Sequence, residues 1–228
     1  MGKVSEKIKE IESQIEKALW DLELKDEFDK ALVIYQAAEL KLEELGISAD
    51  SPDYAEQQRV LAYCLMRQGN LLRQMKKPQE ALALGEREIR AARASGDEIT
   101  LARSLMSNGT NLIVTGGLER GLMLLDEARQ LFERGYSYDH RQGLGWYWIL
   151  QADLANAGLV EREPSEVIEM ADHALISLKP IENWPGVSRA YAARAKANER
   201  LGDKEAALKD LQEQMEYESK IQSEEKTE

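Results

Sequence analysis

Leu101–Leu131 reads LARSLMSNGTNLIVTGGLERGLMLLDEARQL. Leu101, Leu105, Leu112 and Ile113 recur at helical spacing, with the small Ala102 and Gly109 among them. Gly116-Gly117 then breaks the periodicity. Leu118, Leu122, Leu125, Ala128 and Leu131 carry a second helical stripe. The stretch is therefore a helix–turn–helix hairpin with one apolar face per helix. A lone hairpin cannot bury both faces, so it needs neighbours of the same kind.

The rest of the chain supplies them. The spacing predicts helices over 4–24, 28–45, 54–75, 79–95, 98–115, 118–134, 141–157, 165–178, 187–201 and 204–221. Gly46 and Gly96 are expected to close helices. Asp50 or Ser51, ahead of Pro52, is expected to cap the third helix, Asp97 the fifth and Ser165 the eighth. Ten helices in five hairpins follow, at about 4–45, 54–95, 98–134, 141–178 and 187–221. They form one domain over 1–228, with 222–228 as a frayed tail. No alternating strand pattern is present. With 5 prolines, 15 glycines and 43% hydrophobic residues over 228 positions, the class is all-α.

The formal net charge is -12, which disfavours nucleic acid and anionic membrane as partners. No apolar run approaches the roughly 20 residues of a spanning helix, and the N-terminal segment is charged. A cytoplasmic protein is the expectation. The single Cys64 lies in an apolar stripe and reads as a buried small side chain.

The hairpins share a register. Gly69 and Gly109 stand forty residues apart in first helices. Ala31, Ala81, Gly121, Val167 and Ala207 open the second helices. Four residues on come Tyr35, Gly85, Leu125, Ala171 and Leu211. Small residues let the helices of a hairpin approach closely, and the larger ones fill the space between hairpins.

This pattern resembles the tetratricopeptide (TPR) repeat. The match is clearest in Ala31, Tyr35 and Ala38, in Gly109, Leu112, Gly121, Leu125 and Ala128, and in GDKEAAL around Ala207. The spacing of 40 to 50 residues exceeds the usual 34 or so. It is similar to the longer-repeat members, of kinesin-light-chain or bacterial regulator type. The resemblance implies a right-handed superhelix whose first helices line a concave groove for a peptide or partner helix. It places Tyr63, Met66, Asn70, Arg73, Arg103, Met106, Thr110, Trp148, Arg189, Lys196 and Arg200 in that groove. The same groove-facing positions include Glu16, Trp20, Ile113, Ala152, Asn156 and Ala192. The cations in this set are expected to favour a carboxylate-bearing segment; the alternative is a solvated face paired with nearby glutamates. The chaperone-tail clamp of the family is not expected, because Met66, Ser107, Gly145 and Ile149 replace its basic and amide residues.

Among Trp146, Tyr147 and Trp148, Trp148 is expected in the groove and Tyr147 in the core. Glu169 and His173 read as a surface pair. Gly135–His140 reads as a loop. No phosphate loop, nucleophile elbow, His/Cys pairing or metal-ligand set is present, so no enzyme, cofactor or metal is expected. The function expected is a protein-interaction scaffold. A regulatory peptide- or ligand-sensing domain and a self-associating array are the alternatives. The charges on the first and last helices argue for a monomer.

Overall fold

The computed structural model describes residues 2–224. Over these it is helical, with α1 Lys3–Asp21, α2 Phe28–Glu44, α3 Tyr54–Gln74, α4 Pro78–Ser95, α5 Glu98–Val114, α6 Leu118–Phe132, α7 Tyr138–Asn156, α8 Pro164–Leu178, α9 Trp184–Leu201 and α10 Lys204–Glu224. Short 3-10 turns follow α1 and α8. Of the tail expected to fray, 225–228 lie outside the described residues, while 222–224 continue α10.

Local chemistry sets the boundaries. Asp97 Oδ1 accepts from the Thr100 amide at 2.6 Å and starts α5 as expected. Gly46 and Gly96 take positive φ where α2 and α4 end. Two caps and two starts differ from the sequence expectation; one of the starts is α9, expected at 187, which begins at Trp184 because Asn183 Oδ1 accepts from the Gly186 amide at 3.0 Å. α3 starts at Tyr54 as expected, but its cap position is Asp53 rather than Asp50 or Ser51, because the Tyr54 amide donates to the Ser51 carbonyl at 3.0 Å. That makes Ser51–Tyr54 a β-turn with Pro52 in its second position. Residues 138–140, read as loop, are helical because Ser137 Oγ accepts from the His140 amide. In α8 the cap is Glu163 rather than Ser165, and the Glu163 amide donates to Glu166 Oε2 at 2.9 Å.

The chain divides into two compact units, Met1–Ala128 and Arg129–Glu228. In the first, each helix from α1 to α5 packs on the next, and α3 also packs on α1 and α5. Its core joins Ile8, Ile11 and Ile15 of α1 to Tyr35 and Leu42 of α2 and to Val60, Cys64 and Leu71 of α3. Burying each such side chain contributes about 1.5–3 kcal/mol. The Cys64 thiol donates to the Tyr35 carbonyl at 3.1 Å, and burial pushes it up to about 12, so it stays protonated. In the second unit α7 packs on α8, α8 on α9, α9 on α10 and α7 on α9. Ile149, Leu175, Leu178, Val187 and Tyr191 form its main core.

The opening stretch predicts a close helix approach, and one is found there. A Cβ on Gly109 would lie 2.9 Å from the Gly121 carbonyl oxygen, and one on Gly121 2.7 Å from the Gly109 oxygen. Only glycine fits on either side of that crossing.

Candidate partner-binding surfaces

Tyr63, Met66, Asn70 and Arg73 recur every three or four residues along α3, so they share a face. That face meets α5. Arg73 Nη2 donates to Asn70 Oδ1 at 3.1 Å, and Nη1 to Asn111 Oδ1 of α5 at 3.0 Å. Ser107 Oγ donates to Asn70 Oδ1 at 3.4 Å. The sequence-predicted pair Asn70 and Arg73 is thus brought together, and Ser107 and Asn111 join it. The last two were missed because a polar residue on a buried helix face leaves no periodic signal.

Arg73 differs from most of the other half-buried arginines, although Arg141 likewise meets a carbonyl, that of Tyr136, rather than a carboxylate. Arg59 is held by Glu12 and Glu56, Arg67 by Glu23, Arg87 by Glu39 and Glu43, and Arg194 by Asp172 and Asp210. Among the described residues Arg73 has no ion-pair partner; its donors meet neutral amide oxygens. Burial lowers its pKa, and Glu88 is the carboxylate within electrostatic reach. Glu88 is itself 1% exposed and pushed up to about 8 by burial. It is therefore neutral at pH 7, and the Arg73 charge stands uncompensated.

The remaining predicted residues of this unit differ in availability. Tyr63 is half-buried, and burial raises its phenol pKa. Met66, Arg103 and Met106 are half-buried as well. Thr110 is buried, and its hydroxyl donates to the Met106 carbonyl at 2.8 Å, which leaves it little to offer a partner. Ile113 is in the core, while Glu16 and Trp20 are exposed.

In the second unit a cavity of about 600 Å³ is lined by α7, α9 and α10. It brings together the predicted Asn156, Arg189, Ala192 and Lys196 with Trp146, Asp153 and Glu218. Arg189 is paired with Asp153 at 2.9 Å. Lys196 is exposed and, among the described residues, has no ion-pair partner. Ala152 is fully buried beneath this surface. Trp148 is not among the lining residues. Its ring stacks on His173 of α8 at 4.9 Å, which also takes His173 into a ring contact rather than a simple surface pair. Tyr147 is buried, as expected. Arg200 is exposed, with Nη2 3.5 Å from the Arg162 carbonyl.

No described helix is long and apolar enough to cross a membrane. No protein-family model matches the sequence, and no curated protein matches it. Solved structures do. BtubC (BKLC) from P. vanneervenii superposes with a TM-score of 0.63 at 15% identity, covering 97% of this chain and 93% of that one. The kinesin-light-chain-type protein of Podosopora anserina with nearly identical TPR-like repeats gives 0.58 at 16% identity, covering 97% and 99%. Both likenesses run over almost the whole length at low identity, so they speak for the fold. The chain therefore has the all-α TPR-like repeat fold, a solenoid built of helix hairpins.

Proposed function

We propose that the chain is a non-catalytic protein-interaction scaffold that takes an extended acidic segment of a partner protein on the α3/α5 face, with Arg73 as its anchor. The observation that carries this reading is the uncompensated Arg73 guanidinium in a chain of formal net charge -12. In such a chain a half-buried arginine would readily find an internal carboxylate, as Arg59, Arg67 and Arg194 do. Asn70 and Asn111 hold the guanidinium in place by accepting from it, while its charge remains for an incoming carboxylate. Half-buried Tyr63, Met66 and Met106 supply apolar surface of the kind that seats side chains flanking such an anchor. Serial helix hairpins present extended surfaces suited to this task. The protein acts as a monomer in this role, in the cytoplasm, with no nucleic acid or membrane involved.

Peptides selected from a random display library on the immobilised protein test the proposal. Asp and Glu should be enriched among the binders, and Arg73→Gln should weaken the best binder by about tenfold or more. Arg93→Gln, which alters an exposed arginine paired with Glu127, should leave binding unchanged. Selection without acidic enrichment, or equal binding to wild type and Arg73→Gln, overturns it.

A further inference from the structure

Groups that change charge near neutral pH are scarce around the α3/α5 face. The chain has 2 histidines, His140 and His173, and both lie in the second unit. In the first unit burial pushes the Cys64 thiol up to about 12 and raises the Tyr63 phenol. Lysines, arginines and solvated carboxylates do not titrate in that range. Glu88 is the exception, and its surroundings make it so. It is buried on α4, which packs against α3 and α5. From α5 it meets Asn108 Nδ2 at 2.8 Å, with Ser104 alongside, and neither group titrates. From α3 the charged group within electrostatic reach is Arg73. The carboxylates that α2 turns toward α4, Glu39 and Glu43, pair with Arg87, and Arg90 of α4 pairs with Glu86. Glu88 Oε1 therefore meets no donor among the described residues. A buried carboxylate with one oxygen unsatisfied and no cation in contact is costly, so the acid keeps its proton at neutral pH.

Arg73 belongs to the same polar cluster. Asn111 is fully buried; its Oδ1 accepts from Arg73, while its Nδ2 has no partner among the described residues. Asn108 and Asn111 stand three residues apart and share a face of α5. One holds Glu88 and the other holds Arg73. The two ionisable groups thus sit at opposite ends of one pair of amides, within reach of each other's charge but without the contact of an ion pair. We propose that the proton on Glu88 is a switch for the acidic-segment site. While Glu88 is neutral, the Arg73 charge is available to a partner's carboxylate. When Glu88 loses its proton, the new negative charge offsets that of Arg73 and repels the incoming carboxylate, and the site weakens. This rests on the docking reading above and adds its regulation. The coupling runs both ways: a carboxylate bound beside Arg73 makes the proton on Glu88 harder to lose, so binding takes up protons where Glu88 titrates.

Isothermal titration calorimetry of the full chain tests the switch. The probe is the tightest acidic peptide from the display selection, resynthesised with blocked ends and without histidine or cysteine. Glu88 is pushed up to about 8, so about three quarters of it is ionised at about pH 8.5, and affinity should fall about fourfold from about pH 6.5. The far-ultraviolet circular dichroism spectrum should stay unchanged over that range, so the loss is not one of fold. In buffers of different ionisation enthalpy at about pH 8, the heats should report proton uptake on binding. Glu88→Gln should hold one affinity across the range and take up no protons. A flat wild-type affinity, no uptake, or a decline shared by Glu88→Gln overturns the switch and leaves the docking reading standing. Absence of binding at the lower pH, or binding indifferent to Arg73→Gln, overturns both.

Discussion

Glu88 stands where the repeat register asks for a small residue, the position held by Ala38, Ala128 and Ala174 in other hairpins. Space for it comes from Gly85, one turn earlier. A Cβ there would lie 1.8 Å from Asn108 Oδ1, so the missing side chain admits Asn108 from α5. Asn108 Nδ2 then donates to Glu88 Oε2 at 2.8 Å, while Oε1 has no partner among the described residues. Such a site prefers the neutral acid, and burial pushes Glu88 up to about 8. In the unfolded chain the same carboxyl loses its proton near its ordinary pKa of 4.5. Between about pH 5 and pH 8 the folded state therefore holds a proton that the unfolded state has released. Stability from this group falls as pH rises through that window and levels off above it, by up to about 5 kcal/mol in total. Glu88→Gln carries no such proton. Urea unfolding at a series of pH values should show the variant gaining on the wild type up to about pH 8 and holding level beyond. Parallel curves would mean that Glu88 ionises normally in the fold. Nothing in the periodicity announces this residue. Helical spacing places position 88 inside, but its chemistry depends on what α5 brings across.

At the scale of the element, the hairpin crossing decides which glycines are required. Gly69 and Gly109 are register equivalents in α3 and α5, and the sequence treats them alike. The fold does not. A Cβ on Gly109 meets the backbone oxygen of Gly121 and Leu125 Cδ2, both at 2.9 Å, and the backbone atom cannot rotate away. At Gly69 the nearest atom is Asn111 Nδ2 at 3.7 Å, an ordinary contact. Replacing a mid-helix glycine by alanine gains about 1 kcal/mol of helix propensity, whereas overpacking costs about 1–3 kcal/mol. Gly69→Ala should therefore raise the urea midpoint and Gly109→Ala should lower it. The same sign for both would show that the crossing relaxes freely. Helix spans and hairpin order were legible because they follow from apolar spacing and turn residues, which are local. Starts set by a serine hydroxyl, as at Ser137, or by a glutamate box, as at Glu163, were less so, because several residues nearby could have capped. Among the consecutive aromatics, Tyr147 was legible as core. Trp148 was expected in the groove, but its ring stacks on His173 of another helix, and it is Trp146 that stands at the cavity wall.

For the whole molecule the relevant quantity is the charge of -12 against the local cation it presents. An acidic peptide approaching from a distance meets net repulsion, and only close to the α3/α5 face does it find Arg73. Charges act over roughly 30 Å at 0.01 M ionic strength and about 8 Å at 0.15 M. Added salt removes the long-range repulsion first. The short contact at Arg73, half-buried and fixed by Asn70 and Asn111, is screened less. Association of an acidic peptide should therefore speed up several-fold between those ionic strengths, while dissociation changes little. That is the reverse of the usual steering of opposite charges, where salt slows the encounter. Stopped-flow fluorescence with a labelled peptide, at a fixed pH below the titration of Glu88, separates the two rates. An association rate that falls with salt would show that a basic field extends well beyond Arg73 and governs the approach. Acceleration lost in Arg73→Gln, together with the binding itself, would tie the short-range contact to that one side chain.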